Sequence, residues 1–272
     1  MGFFKSLRPY VVFLVALMTA PIAYACGADS DCIVGDRVYR ISLPEGAEKP
    51  MGAVIWAHGY GGSAAGAMRN LSLRKMVHAQ GLALIAAQGV DGNWDLPNGP
   101  RTPDSTGAAE FAYFDAVIAD ATTRFSINPN RLVASGFSAG GMMVWNLACA
   151  QPQKFVGYVP ISGTYWKAPP ASCATPAASI VHIHGDRDTT VPLEGRAIGQ
   201  TRQGRVAEAL EMYANFGEFG PKTTRKLDMF TCTTQGNPDG EILEFCLFKG
   251  GHSFRTEYLG YALDRLKAAS QL

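Results

Sequence analysis

The sequence predicts an α/β protein in which a mostly parallel central sheet carries helices on both faces. Three observations support this. Apolar runs of strand length alternate with longer amphipathic stretches. The pentapeptide Gly136-Phe137-Ser138-Ala139-Gly140 joins a strand-like run, Arg131 to Ser135, directly to a helix-prone one beginning at Met142. A long loop rich in Gly, Pro and Asn, Val90 to Asp104, follows an early strand, as site-bordering loops do in open α/β sheets.

In chain order, the short apolar runs predict strands over Val38 to Leu43, Ala53 to Ala57, Ala83 to Ala87, Leu132 to Ser135, Gly157 to Ile161 and Ile180 to His184. A hairpin is expected from Lys226 to Thr233 and Glu241 to Phe248, across a turn-forming segment that includes Asn237-Pro238-Asp239-Gly240. Helices fit Arg69 to Gln80, Ala108 to Phe125, Ala139 to Ala150, Arg202 to Phe216 and Thr256 to Ala269. In the second of these, Phe111, Phe114, Val117, Ile118 and Ala121 recur at helical spacing, a core-facing stripe rather than a cofactor site.

Residues 1–25 read as an export signal: Lys5 and Arg8 precede the apolar run Tyr10 to Leu17, and Ala23-Tyr24-Ala25 stands before Cys26. A membrane anchor is the alternative, but the uncharged stretch from Pro9 to Ala25 is at the short limit for spanning. Cys26 after the cut also permits a lipid-anchored form, although Ala23 and Tyr24 suit a lipoprotein signal poorly. The expected product is a secreted or periplasmic chain, residues 26–272, forming one catalytic domain without stable membrane association.

The whole chain carries 24 basic and 23 acidic residues, a net charge of +1. Removal of Lys5 and Arg8 turns this to −1, with no basic footprint for nucleic acid. All six cysteines lie beyond the signal, which in an exported chain suggests three disulfides. Cys232 with Cys246 suits the hairpin; Cys26 with Cys32 and Cys149 with Cys173 complete the expected set. No Cys-x-x-Cys pair or histidine spacing suggests zinc, and neither metal nor cofactor is expected.

Ser138 is the candidate nucleophile. Gly-x-Ser-x-Gly is weak by itself, but between a strand and a helix it describes a sharp turn that exposes the hydroxyl to a base. The flanking glycines leave the turn free of Cβ atoms. In this architecture an acid and then a histidine follow the serine along the chain. Of five histidines, only His252 lies beyond the last expected strand, in the loop Lys249-Gly250-Gly251-His252, and it is the candidate base. His58, His78, His182 and His184 are read as structural. Asp188 is the preferred acid, with Asp186 organising the turn and standing as its substitute. Backbone N–H groups of Ala139 and Tyr60 are the expected oxyanion donors, with Gly61 an alternative to Tyr60. Trp94 in the long loop is a candidate substrate contact, the alternative being loop packing.

The motifs His58-Gly59, Gly136 to Gly141, Ile161-Ser162-Gly163, His184-Gly185 with Asp188 and Val191-Pro192, and Gly250-Gly251-His252 resemble the secreted poly(3-hydroxybutyrate) depolymerase and feruloyl esterase family of α/β-hydrolases. The likeness runs from about residue 35 to the C-terminus and implies Ser138 as nucleophile, Asp188 as acid and His252 as base. It departs at Ser253-Phe254-Arg255, where many relatives have tryptophan and proline, which weakens the transfer of substrate preference. The implied activity is hydrolysis of esters in a polymeric or plant-wall substrate through an acyl-enzyme.

Two other readings remain. Poly(aspartic acid) hydrolases are similar to the same family, and Gly195 to Arg205 carries Arg196, Arg202 and Arg205 without an acid. Arg202 and Arg205 are the candidate contacts for such a polyanion, whose scissile bond would be an amide; the alternative is a solvated helix start paired with Glu194, Glu208 and Glu211. The second reading is a binding protein that keeps the fold without turnover.

Overall fold

The computed structural model describes residues 1–2, 26–46 and 48–272; residues 3–25, most of the expected export signal, lie outside the described residues. Ten strands form one sheet. They are β1 (Cys32–Val34), β2 (Arg37–Ser42), β3 (Met51–Ala57), β4 (Ala83–Ala87), β5 (Ile127–Phe137), β6 (Gly157–Ile161), β7 (Ile180–Gly185), β10 (Thr223–Lys226), β11 (Thr231–Gly236) and β12 (Ile242–Phe248), with β8 (Arg196–Ile198) and β9 (Thr201–Gln203) forming a separate hairpin. The order is β1-β2-β4-β3-β5-β6-β7-β12-β11-β10. From β4 to β12 neighbours run parallel; the outer pairs are antiparallel.

The central strands read as continuous apolar runs because both faces are covered. Their alternation survives in which core each side chain enters. Ala53, Ile55 and Ala57 of β3 join one buried cluster, while Val54 and Trp56 join the other. The first cluster is capped by α3 (Ala108–Phe125), α4 (Ala139–Ala150) and α5 (Val206–Phe216), the second by α1 (Ala64–Arg69), α2 (Leu71–Ala79) and α6 (Thr256–Ala268). In α4 every residue from Gly140 to Cys149 is buried, consistent with its apolar composition around the whole circumference. Each fully buried aliphatic side chain there contributes about 1.5–3 kcal/mol relative to exposure.

Two expected helices differ. The stretch Arg69 to Gln80 is broken at Asn70, whose non-helical backbone (φ −76°, ψ 88°) and side chain, accepting from Leu73 N–H at 3.0 Å, start α2 afresh. The stretch from Arg202 becomes helical only at Val206. Gly199, at φ 56°, permits the tight turn that pairs Thr201–Gln203 with Arg196–Ile198. The disulfides are Cys26–Cys32, Cys149–Cys173 and Cys232–Cys246, as expected. Cys26 sulfur is therefore engaged and unavailable for the lipid anchor. No helix among the described residues is long and apolar enough to cross a membrane.

Candidate active site

Four loops meet at the carboxyl ends of β3, β5, β7 and β12, the edge where open α/β sheets bind ligands. The chain passes from β5 to α4 in a single residue, Ser138, held at φ 59° and ψ −120°. A non-glycine residue in this region is strained and needs support. Its N–H donates to Ile161 O at 2.9 Å. The flanking glycines are steric necessities: a Cβ on Gly136 would lie 2.5 Å from Gly140 O, and one on Gly140 would lie 1.9 Å from Ala57 O. The hydroxyl is thus lifted clear of a crowded crossing of β3, β5 and α4.

His252, after β12, places Nε2 2.9 Å from Ser138 Oγ, and its Nδ1 lies 2.7 Å from Asp188 Oδ2. Asp188, after β7, is buried and accepts Thr190 N–H and Val191 N–H at its other oxygen, each at 2.8 Å. Burial alone would raise its pKa, but hydrogen bonds from His252 and Val191 outweigh it and hold the carboxyl below its ordinary value. The anion so favoured takes a proton donor at His252 Nδ1, which leaves Nε2 free to accept from the serine hydroxyl. The Phe137 ring, 4.6 Å from the His252 ring, packs against the imidazole.

The remaining histidines are structural. His58 accepts Gly89 N–H at Nε2, 3.0 Å, and its Nδ1 lies 2.8 Å from Gly59 O. His78, partly buried, reaches Ser42 O at 3.1 Å rather than lying free on the surface. His182 and His184 form a buried chain behind the acid. Trp145 Nε1–H, which can only donate, meets His182 Nδ1 at 3.0 Å; His182 Nε2 then donates to His184 Nδ1 at 2.9 Å, and His184 Nε2 to Val191 O at 2.8 Å. His184 Nε2 also stands 3.5 Å from Asp188 Oδ2. Burial holds both rings below the ordinary histidine pKa, hence neutral. Asp186 organises the turn, accepting Gly250 N–H at 2.9 Å.

The Ala139 N–H opens α4, where first-turn amides have no carbonyl of their own helix to meet. Across from it, Gly61 N–H is taken by Gly92 O at 2.8 Å, so Tyr60 N–H is the remaining candidate of that pair. A cavity of about 430 Å³ opens beside Ser138, lined by Tyr60, Ala139, Met142, Trp166, Ile198, Arg101 and Arg196 among others.

Three expected contacts lie elsewhere. Trp94 is 4% exposed, donates Nε1–H to His58 O at 2.8 Å and packs on Phe114; its apolar body is core and its one donor is spent inside. Its neighbour Asn93 lines the cavity instead. Arg202 sits on the outer face of β9, because alternation turns its neighbour Gln203 inward. Arg205 pairs with Glu194 at 2.7 Å and Glu208 at 3.7 Å at the start of α5, the solvated helix start. Trp166 and Arg101 went unselected in the sequence; their only signal was a place in loops following β6 and β4. Arg196 was visible in the arginine segment but was not singled out. Among the described residues, Cys232, Glu244 and Cys246 lie within metal-ligand distance of one another, but both sulfurs are spent in a disulfide and Glu244 is bound by Arg265 and Tyr261.

Residues 41–212 match the Phospholipase/Carboxylesterase family. The chain is 32% identical over 266 residues to the protein named "Putative esterase NocK" of Nocardia uniformis subsp. tsuyamanensis, covering 86% of this chain and 76% of that one. It is 25% identical to feruloyl esterase C of Emericella nidulans over 60% of this chain and 58% of that protein. The fold resembles that of an acetyl xylan esterase from Aspergillus awamori, with a TM-score of 0.65 at 13% identity, covering 87% of this chain and 95% of that one. A Bacillus cereus carboxylesterase superimposes with a TM-score of 0.56 at 14% identity, covering 86% and 95%.

Proposed function

The chain belongs to the Phospholipase/Carboxylesterase family of α/β-hydrolases and is a carboxylic ester hydrolase, and we propose that Ser138, His252 and Asp188 carry its chemistry. The observation behind this is the unbroken contact from Ser138 Oγ to His252 Nε2 and from His252 Nδ1 to Asp188. Ser138 Oγ attacks the ester carbonyl as His252 Nε2 takes its proton. The imidazolium formed is stabilised by the Asp188 anion. The tetrahedral oxyanion accepts from Ala139 N–H and Tyr60 N–H, each donor contributing about 2.7–4 kcal/mol to the barrier reduction. His252 then protonates the departing alcohol, and a water deprotonated by the same nitrogen releases the acid from Ser138.

The substrate we propose is an ester of a polymeric or plant-wall material, a feruloyl ester or a hydroxyalkanoate polyester. The likeness to feruloyl esterase C and the partly apolar cavity walls at Met142, Trp166 and Ile198 support it. Residues 26–272 act as one catalytic unit, exported behind the segment 1–25; three disulfides accord with an oxidising destination. The amide-cleaving polyaspartate alternative draws its local support from Arg196, Arg202 and Arg205, of which only Arg196 lines the cavity.

The test pairs activity with covalent labelling. A fluorophosphonate probe is expected to label Ser138 of the wild type, and Ser138→Ala to lose both labelling and hydrolysis of p-nitrophenyl butyrate. Methyl ferulate and hydroxybutyrate oligomers then separate the two substrate classes. Full ester hydrolysis by Ser138→Ala would end this reading.

A further inference from the structure

Two arginines, Arg101 and Arg196, line the cavity beside Ser138, and among the described residues no carboxylate does. The nearby Asp188 does not balance them, since it is buried behind His252 and its oxygens are taken by His252, Thr190 and Val191. Among the described residues Arg101 pairs with Asp91, at 3.3 Å, with the arginine side chain half exposed and the aspartate largely so, a weak pairing that a ligand can displace. Arg196 is oriented from behind: its Nε lies 2.8 Å from Thr190 O and 3.2 Å from Gln203 Oε1. Those contacts use one of the five N–H bonds of the guanidinium and leave the planar fork at its end for a ligand. No ion pair engages Arg196 among the described residues, although other exposed arginines nearby, such as Arg205, find glutamates.

Strand alternation in the β8–β9 hairpin selects this residue. Arg196 and its cross-strand partner Gln203 face the cavity with Ile198, and Ala197 and Arg202 face away. The cations are thereby set into a wall otherwise built from Met142, Trp166 and Ile198. Such a surface suits a ligand with an apolar spacer and one anionic end. An uncharged ester filling the same space offers these guanidinium groups no counter-charge. A long polyanion is a poorer match, because Arg202 and Arg205 do not continue the cationic surface inside the cavity.

Building on Ser138 as the nucleophile, we infer that the preferred substrates are esters bearing a carboxylate on the part seated in this cavity, recognised by Arg196 with Arg101 beside it. The negative end selects the substrate, and the ester carbonyl falls to the serine.

Two matched pairs test this on the full chain: monomethyl adipate against methyl hexanoate, for an anion on the acyl side, and 6-acetoxyhexanoate against hexyl acetate, for one on the alcohol side. The wild type is expected to favour the charged member of at least one pair in kcat/KM by about two- to five-fold, the ratio corresponding to one exposed ion pair. That preference shrinks as sodium chloride is added. Arg196→Gln and Arg101→Gln each lower it, the double variant abolishes it, and Arg202→Gln leaves it at the wild-type ratio. Ratios near one in both pairs, or a preference that survives the double variant, overturn the inference. Should the double variant fail to fold, competitive inhibition of wild-type p-nitrophenyl butyrate hydrolysis decides: hexanoate is expected to outcompete its neutral counterpart hexanamide, and equal inhibition overturns the inference. Neutral esters turned over without charge preference would sink this inference alone; loss of all ester turnover and of Ser138 labelling would sink the catalytic reading beneath it.

Discussion

Trp94 donates its indole N–H to the carbonyl of His58 at 2.8 Å, strapping the loop after β4 to the loop after β3. Gly89 N–H meets His58 Nε2 at 3.0 Å and Gly61 N–H meets Gly92 O at 2.8 Å, so three hydrogen bonds fix the segment that carries Tyr60, whose N–H is the proposed oxyanion donor. Trp94→Phe keeps the packing on Phe114 but orphans the His58 carbonyl, a loss of about 1–3 kcal/mol. The expected result is a kcat about ten-fold lower with a smaller change in KM, measured by steady-state ester hydrolysis. A change confined to KM would return Trp94 to a substrate-contact role.

Asp188→Asn preserves shape but removes the anion that selects the Nδ1-protonated imidazole. In the best-studied serine triad the equivalent change lowers kcat by about 10⁴, and a loss of that order is expected here. Circular dichroism should show an intact fold beside the lost activity.

Gly140→Ala is expected to be severe although it adds one methyl group, because that group would lie 1.9 Å from Ala57 O. Backbone must move, at a cost of about 1–3 kcal/mol or more. Thermal denaturation should show a clearly lower Tm, together with loss of activity as the elbow shifts. A Tm equal to wild type would mean that the crossing of β3 and α4 is looser than described.

The buried imidazoles make stability depend on pH. His58, His182 and His184 are held below the ordinary value of 6.5, chiefly by burial. Unfolded, they bind protons near that value; folded, they do not, so stability is full above it and falls as the pH drops below it. Each contributes a slope of at most about 1.4 kcal/mol per pH unit. Asp188, held below its ordinary 3.8, adds a separate loss only as the pH falls past that value toward its folded pKa. The Tm is therefore expected to decline between about pH 7 and pH 5, before the carboxylate window opens. A flat Tm across that range would contradict neutral, buried rings.

Periodicity made the core of the fold legible. Gly157 to Ile161, Ala83 to Ala87, Ala108 to Phe125 and Ala139 to Ala150 match their sequence-predicted bounds, because each is a run whose burial overrides other preferences. Ser138, Asp188 and His252 were legible from their order along the chain, each in a loop that leaves the carboxyl end of a strand: β5, β7 and β12. Asn70 and the Gly199 turn were harder to see, since a single cap or a two-residue hairpin leaves little periodic trace. The cavity lining was least visible. Whether Trp94 or Trp166 lines the cavity depends on side-chain direction within two different loops, and whether Arg196 or Arg202 does depends on a one-residue register in a short hairpin.

Tyr60 divides its labour. Its phenol stands 75% exposed at the rim of the cavity, whereas the group proposed to meet the oxyanion belongs to its main chain. Whatever residue occupies position 60, other than proline, carries the same amide, so the entrance can be resized, recharged or made more greasy without dismantling the chemistry below. Variation at this one codon offers a route to new ester preferences at little catalytic penalty.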